Sequence, residues 1–107
     1  LPDDQKLILD IAKVIRVGFL QQNAFHKDDT CVPLIKQYKM MDIILYLYQK
    51  SKALVHQGMP MSVLHREDIW DRITSIKYDV PNDKLEMFDQ YKKDIDTFYD
   101  TVLEKNA

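Results

Sequence analysis

Three side-chain amides and an aromatic ring follow one another at Gln21, Gln22, Asn23 and Phe25, with Ala24 between the last two. A turn of this make-up presents a flat apolar face flanked by amide donors and acceptors, which suits a planar heteroaromatic ligand. It suits a solvent-shielded corner of a helical core equally well. Other groupings point to less. His26 with Asp28 and Asp29 is the nearest approach to a metal cluster, but these read as solvated loop residues, His56 and His65 lie far off in sequence, and no metal is assigned. Cys31 near His26 offers the elements of a thiolate–imidazole nucleophile, and reads instead as a small residue at a helix entrance. Glu67, Asp68 and Asp71 form a charged helix face before they form an acid–base pair, and Trp70 and the tyrosines fall at the spacing of core or interface residues. With Gly18 and Gly58 as the only glycines, no Gly-x-x-x-x-Gly-Lys-Ser/Thr loop can exist, so the chain has no phosphate cradle of that kind.

The elements that must position these groups read as helices. Pro2, Asp3 and Asp4 precede Leu7, Ile8, Ile11, Val14, Ile15 and Phe19, an apolar pattern at three- and four-residue spacing with acids at its start. This predicts an amphipathic helix from about Asp4 to about Gln22, with Asp3 or Asp4 accepting from first-turn amides. Asn23 to Val32 has no sustained period and reads as a connection. Pro33 opens a second helix whose apolar positions are Tyr38, Met41, Ile44, Leu45, Tyr48, Leu54 and Val55, ending at a left-handed Gly58. The nearly all-apolar run Ile43 to Tyr48 predicts burial on more than one side. Leu64 to Tyr78 reads as a third helix with Ile69, Trp70, Ile73 and Ile76 inside. Asn82 is the expected cap of a last helix whose inner face is Leu85, Phe88, Tyr91, Ile95, Phe98, Val102 and Leu103. The fold expected is all-α, a compact bundle of about four main helices in a single domain.

Composition agrees. The chain has 107 residues, 46% of them hydrophobic, two glycines and four prolines, which favours long helices over a many-turned sheet. A net charge of -2 with both signs interspersed leaves no basic track for nucleic acid. A single cysteine forms no intramolecular disulfide and fits a reducing, cytoplasmic setting. No apolar run reaches membrane-spanning length, and no charged-then-apolar leader opens the chain. The start at Leu1 rather than Met suggests a piece cut from a longer protein.

The run Phe19-Leu20-Gln21-Gln22-Asn23-Ala24-Phe25, followed by acids and then by Lys36-Gln37-Tyr38, resembles the C-terminal helical region of the catalytic A subunit of archaeal and vacuolar-type rotary ATPases. The opening Leu1-Pro2-Asp3-Asp4 with Leu7-Ile8-Leu9 is similar to the same region. The likeness is carried by Leu1 to Gly58, and beyond that by helix order and the Gly58-Met59-Pro60 turn. It implies that the P-loop, the catalytic glutamate and the magnesium ligands belong to a preceding nucleotide-binding domain. Residues 1–107 would then be a C-terminal helical domain, inactive alone, whose parent binds ATP or ADP with magnesium. The resemblance also implies that Phe25 helps form the adenine pocket, with Ala24 and Asn23 beside it and the amides of Gln21 and Gln22 as secondary candidates; the alternative is that Phe25 is core.

Leu1 to Lys6 is similar in placement to the acidic loop of the F-type β subunit that bears on the rotating shaft, which implies a rotor contact at Asp3 and Asp4. The first helix, about eighteen residues and roughly 27 Å long, would then be a stiff lever between rotor and nucleotide. The partners implied are the non-catalytic B subunits and the central-stalk subunits of a hetero-hexameric head, cytoplasmic and peripheral to the membrane. Two departures stand out. Val17-Gly18 replaces residues that are often charged in the family, which could loosen the lever, and Cys31-Val32-Pro33 alters the order before the second helix. The competing reading is a freestanding helical interaction module with no nucleotide role.

Overall fold

The computed structural model describes residues 2–20 and 32–106. Helix α1 spans Asp3–Val14 and runs on as a π-helical turn at Ile15–Leu20; α2 spans Leu34–His56, α3 Met61–Leu64, α4 Ile69–Thr74, α5 Ile76–Asp79 and α6 Met87–Lys105. Among the described residues there is no strand, so the all-α expectation is met, with α2 at the centre between α1 and α6.

Helix α1 starts where its acids predict. The Pro2 carbonyl accepts from the amides of Gln5 and Lys6 at 3.1 and 3.0 Å, and the Asp4 carboxylate accepts a further bond from the Gln5 amide at 2.9 Å. Leu7, Ile11 and Val14 form its buried stripe. Ile8, expected on that stripe, is 55% exposed, because it sits about 100° round the helix from Leu7, beyond the arc that reaches its neighbours. After Val14 the helix widens into the π turn. Gly18 is the reason the turn can pack. A Cβ there would lie 2.5 Å from the Thr74 carbonyl oxygen and 3.2 Å from the Thr74 Cα, so only hydrogen fits between the two backbones. Gly18 thus docks the end of the first helix onto the end of α4, where a loosening of the lever was expected.

Helix α2 buries Met40, Ile43, Ile44, Leu47 and Leu54. This stripe lies to one side of the expected Tyr38, Met41, Leu45 and Tyr48: Tyr38 is 70% exposed and Leu45 47%. The helix carries two apolar stripes, of which α1 and α6 cover one; within Ile43–Tyr48 only Leu45 is exposed, and Tyr46 and Tyr48 lie partly buried on either flank of the stripe, so the expected burial on more than one side is met in part. Its C-terminus ends as foreseen. Gly58 has φ +93°, its amide bonds to the Val55 carbonyl at 2.9 Å, and the Met59 amide reaches back to Leu54 at 3.1 Å. This paired 5→2 and 6→1 pattern is a Schellman cap.

The single third helix expected over Leu64–Tyr78 is three short ones. Leu64 and Ile69 are both buried, yet a continuous helix would set positions five apart about 140° from each other. The turn between them, with Arg66 bonded to Val63 at 3.3 Å and Glu67 to Leu64 at 3.2 Å, restores the phase. At the second break the Thr74 hydroxyl donates to the Trp70 carbonyl at 2.8 Å and the Ser75 hydroxyl to the Asp71 carbonyl at 3.3 Å. Such back-bonding competes with the regular ladder. Asn82 is not the cap of α6, which begins at Met87 after a run of turns; its side chain is engaged elsewhere. Along α6, Phe88, Tyr91, Ile95, Phe98 and Val102 form the buried face that the spacing predicts.

Candidate functional site

Asn23, Ala24 and Phe25 lie outside the described residues, as do Gln21, Gln22, His26, Asp28, Asp29 and Cys31. The structure describes the two stems that flank this stretch. The incoming stem is the π turn with Gly18 against Thr74. On the outgoing stem the Gln37 side-chain amide donates to the Val32 carbonyl at 3.0 Å, and the Gln37 backbone amide bonds to Pro33 at 3.1 Å.

Lys36, in the first turn of α2, is wholly buried. Its ammonium donates to the Lys77 carbonyl and to the Asn82 side-chain oxygen, both at 2.8 Å. The sequence explains the first of these acceptors. In a regular helix the Lys77 carbonyl would receive the amide of the residue four positions on, which is Pro81 and has no N–H. The lysine supplies a donor from across the fold, and a dehydrated ammonium is stable only with such acceptors around it. Sequence reasoning missed this contact. The available signal was that Lys36 falls on the same helical stripe as Met40, Ile43 and Leu47.

At the far end of α1, Asp4 is exposed and Asp3 half-buried, 3.5 Å from the Lys6 ammonium. Both acids are therefore accessible at one tip of the rod. Midway along it, Asp10 meets the His65 ring at 2.7 Å, and that ring packs on Trp70 with centroids 4.8 Å apart. This carboxylate–imidazole contact ties α1 to the α3–α4 turn. Trp70 is buried, as expected of a core residue, although among the described residues its ring N–H has no acceptor. Among the described residues no group of three or more His, Cys, Asp and Glu side chains converges on a metal-sized site, and no helix is long and apolar enough to cross a membrane.

Charged side chains hold α6 against α2 and α4. Lys92 pairs with Asp42 at 2.8 Å, Tyr46 donates to Asp96, and Lys50 lies over the rings of Tyr46 and Tyr99. Arg72 pairs with Asp94 at 2.8 Å and covers the Tyr91 ring. Burial pushes the Asp94 carboxyl up, but the hydrogen bonds from Gln90 and Arg72 and the guanidinium charge outweigh it and leave the group below its ordinary value. A carboxyl depressed by folding stabilises the native state above its unfolded value, near 3.9, and loses that contribution as the pH falls through the folded one. Arg72→Met should therefore flatten the acid limb of stability below about pH 4 and cost about 1 kcal/mol or less at neutral pH, because the pair is partly solvated. Acid titration followed by circular dichroism, at several temperatures, measures both.

The geometry defines a class: an all-α domain with accessible acids at the start of its first helix and a packed π turn at that helix's end. Residues 1–64 match the family described as the C-terminal domain of V and A type ATP synthase. The chain belongs to that family. It is 40% identical over 105 residues to the V-type ATP synthase alpha chain 2 of Clostridium tetani, covering 98% of this chain and 18% of that one. It is 38% identical over 104 residues to the V-type ATP synthase alpha chain of Halothermothrix orenii, covering 97% and 18%. It is 37% identical over 106 residues to the A-type ATP synthase A subunit of Methanopyrus kandleri, covering 98% and 18%. The chain thus spans under a fifth of the length of these relatives. The similarity continues well past Gly58, where the likeness read from motifs had thinned to helix order.

Proposed function

We propose that this domain completes the adenine pocket in the catalytic subunit of a rotary ATP synthase, and that it passes the motion of that site to the central stalk. The observation that carries the reading is the unbroken helical rod from Asp3 to Leu20, accessible acids at its start and the Gln21–Phe25 string directly after its end. Family membership and the ATP synthase names of the relatives support it. Phe25 stacks on the base, with Ala24 and Asn23 beside it. ATP or ADP and its magnesium are held mainly by the parent's nucleotide-binding domain, so the isolated chain neither hydrolyses nor makes ATP. Non-catalytic B subunits and central-stalk subunits are its neighbours in a hetero-hexameric head on the cytoplasmic side of the membrane.

The rod does the mechanical work. Opening and closing of the nucleotide site swings the bundle as a body, and the tip at Asp3 and Asp4 meets basic groups of the shaft. Reversing both acids to Lys in the assembled complex should reduce ATP-driven ion transport severalfold per ATP hydrolysed, because like charges replace opposite ones at the contact. Transport and torque equal to those of the unaltered complex would remove the rotor contact from the proposal.

A further inference from the structure

The two stems of the connection between Leu20 and Val32 rest on one short stretch of chain. The incoming stem touches it at Gly18, whose backbone lies against the Thr74 carbonyl. The outgoing stem touches it at Lys36, whose ammonium is shared by the Lys77 carbonyl and the Asn82 side chain. We propose that Thr74–Asn82 is the positioning base of the adenine-facing connection, fixing the separation and direction of its two ends. This rests on the nucleotide reading above and adds to it residues that lie outside the 1–64 family match.

The physical argument is one of preorganisation. A connection between two fixed stems has fewer conformations to lose when a ligand orders it than one whose stems can slide, and that saving appears as affinity. Both contacts resist sliding for different reasons. At Gly18 the two backbones are already at the closest separation that hydrogen allows, so the turn cannot move toward α4. At Lys36 the ammonium is buried and its bonds are charge-assisted, so it cannot leave its acceptors without a large desolvation cost. The Pro81 ring maintains the arrangement, since it denies the Lys77 carbonyl a donor from its own helix. Thr74, Lys77 and Asn82 act through the stems and make no contact with the nucleotide themselves; they are positioning residues.

Asn82 is the side chain to test, because it is only half-buried and outside every helix. In the complete catalytic subunit, Asn82→Ala should weaken binding of a fluorescent adenine nucleotide about fivefold, while Asn82→Asp, which keeps an oxygen against the ammonium, should bind like the unaltered protein. In a Phe25→Ala background Asn82→Ala should have no further effect, since the ring it positions is gone. Unaltered affinity in Asn82→Ala, or the same loss with and without the Phe25 ring, would overturn the positioning role. Phe25→Ala binding as tightly as the unaltered protein would instead overturn the nucleotide reading, and the base with it.

Discussion

Gly18→Ala is expected to lower the melting temperature of the 107-residue chain by about 10 °C, from a loss of about 2 kcal/mol. Two effects oppose each other. Alanine favours helix over glycine by about 1 kcal/mol, which taken alone predicts stabilisation. Against it stands a Cβ placed 2.5 Å from a carbonyl oxygen and 3.2 Å from the Thr74 Cα. These are backbone atoms of a packed helix end and cannot rotate away as a side chain would, so the π turn and α4 must part. Steric exclusion wins. Gly58→Ala is the control of opposite kind. Nothing lies within 4 Å of that Cβ, and its cost is confined to the left-handed φ of +93°, about 1 kcal/mol. Thermal melts of both variants separate a clash from a conformational penalty. A Gly18→Ala variant as stable as the parent would show that the turn does not sit against Thr74.

Lys36→Met should destabilise by about 3 kcal/mol, although it exchanges a buried charge for an apolar side chain of similar length. The usual expectation for such an exchange is gain, and it holds where both partners of a polar contact are replaced together. Here the partners stay. The Lys77 carbonyl has Pro81 where its helical donor should be, and the Asn82 oxygen loses a donor 2.8 Å away. Two acceptors that each lose a charge-assisted donor inside the fold outweigh the relief of one dehydrated ammonium. Urea denaturation reads the effect directly. Partial recovery in Lys36→Met with Asn82→Leu, which removes one of those acceptors, would assign the loss to them rather than to packing.

The long elements were legible in the sequence because their periodicity is unambiguous. Leu7, Ile11 and Val14 in α1, and Phe88, Tyr91, Ile95, Phe98 and Val102 in α6, are buried at the spacing read from the chain, and Gly58 caps α2 as its position before Pro60 predicts. What was not legible is set by contacts distant in sequence. The π turn depends on Thr74, more than fifty residues from Gly18, and no local pattern announces it. Asn82 has the residue type and place of a helix cap, but a buried lysine in α2 competes for its oxygen and wins. In α2 the chain offers two apolar stripes, and sequence alone did not say which the other helices would cover; Tyr38 lies on the uncovered one. The family was legible in a different way. The order Gln21-Gln22-Asn23-Ala24-Phe25 pointed to the family that residues 1–64 match, whereas the burial of Lys36 was signalled only by its place on the stripe of Met40, Ile43 and Leu47, and its acceptors, more than forty residues away, by nothing local.

The most direct test of the nucleotide role is the dissociation constant of ATP for the complete catalytic subunit carrying Phe25→Ala, with circular dichroism to establish that the helical fold is intact. Loss of one aromatic–base contact, about 1–3 kcal/mol, predicts affinity weaker by roughly fivefold to a hundredfold. An intact variant that binds ATP as tightly as the unaltered protein would contradict the adenine pocket and leave a helical interaction module in its place.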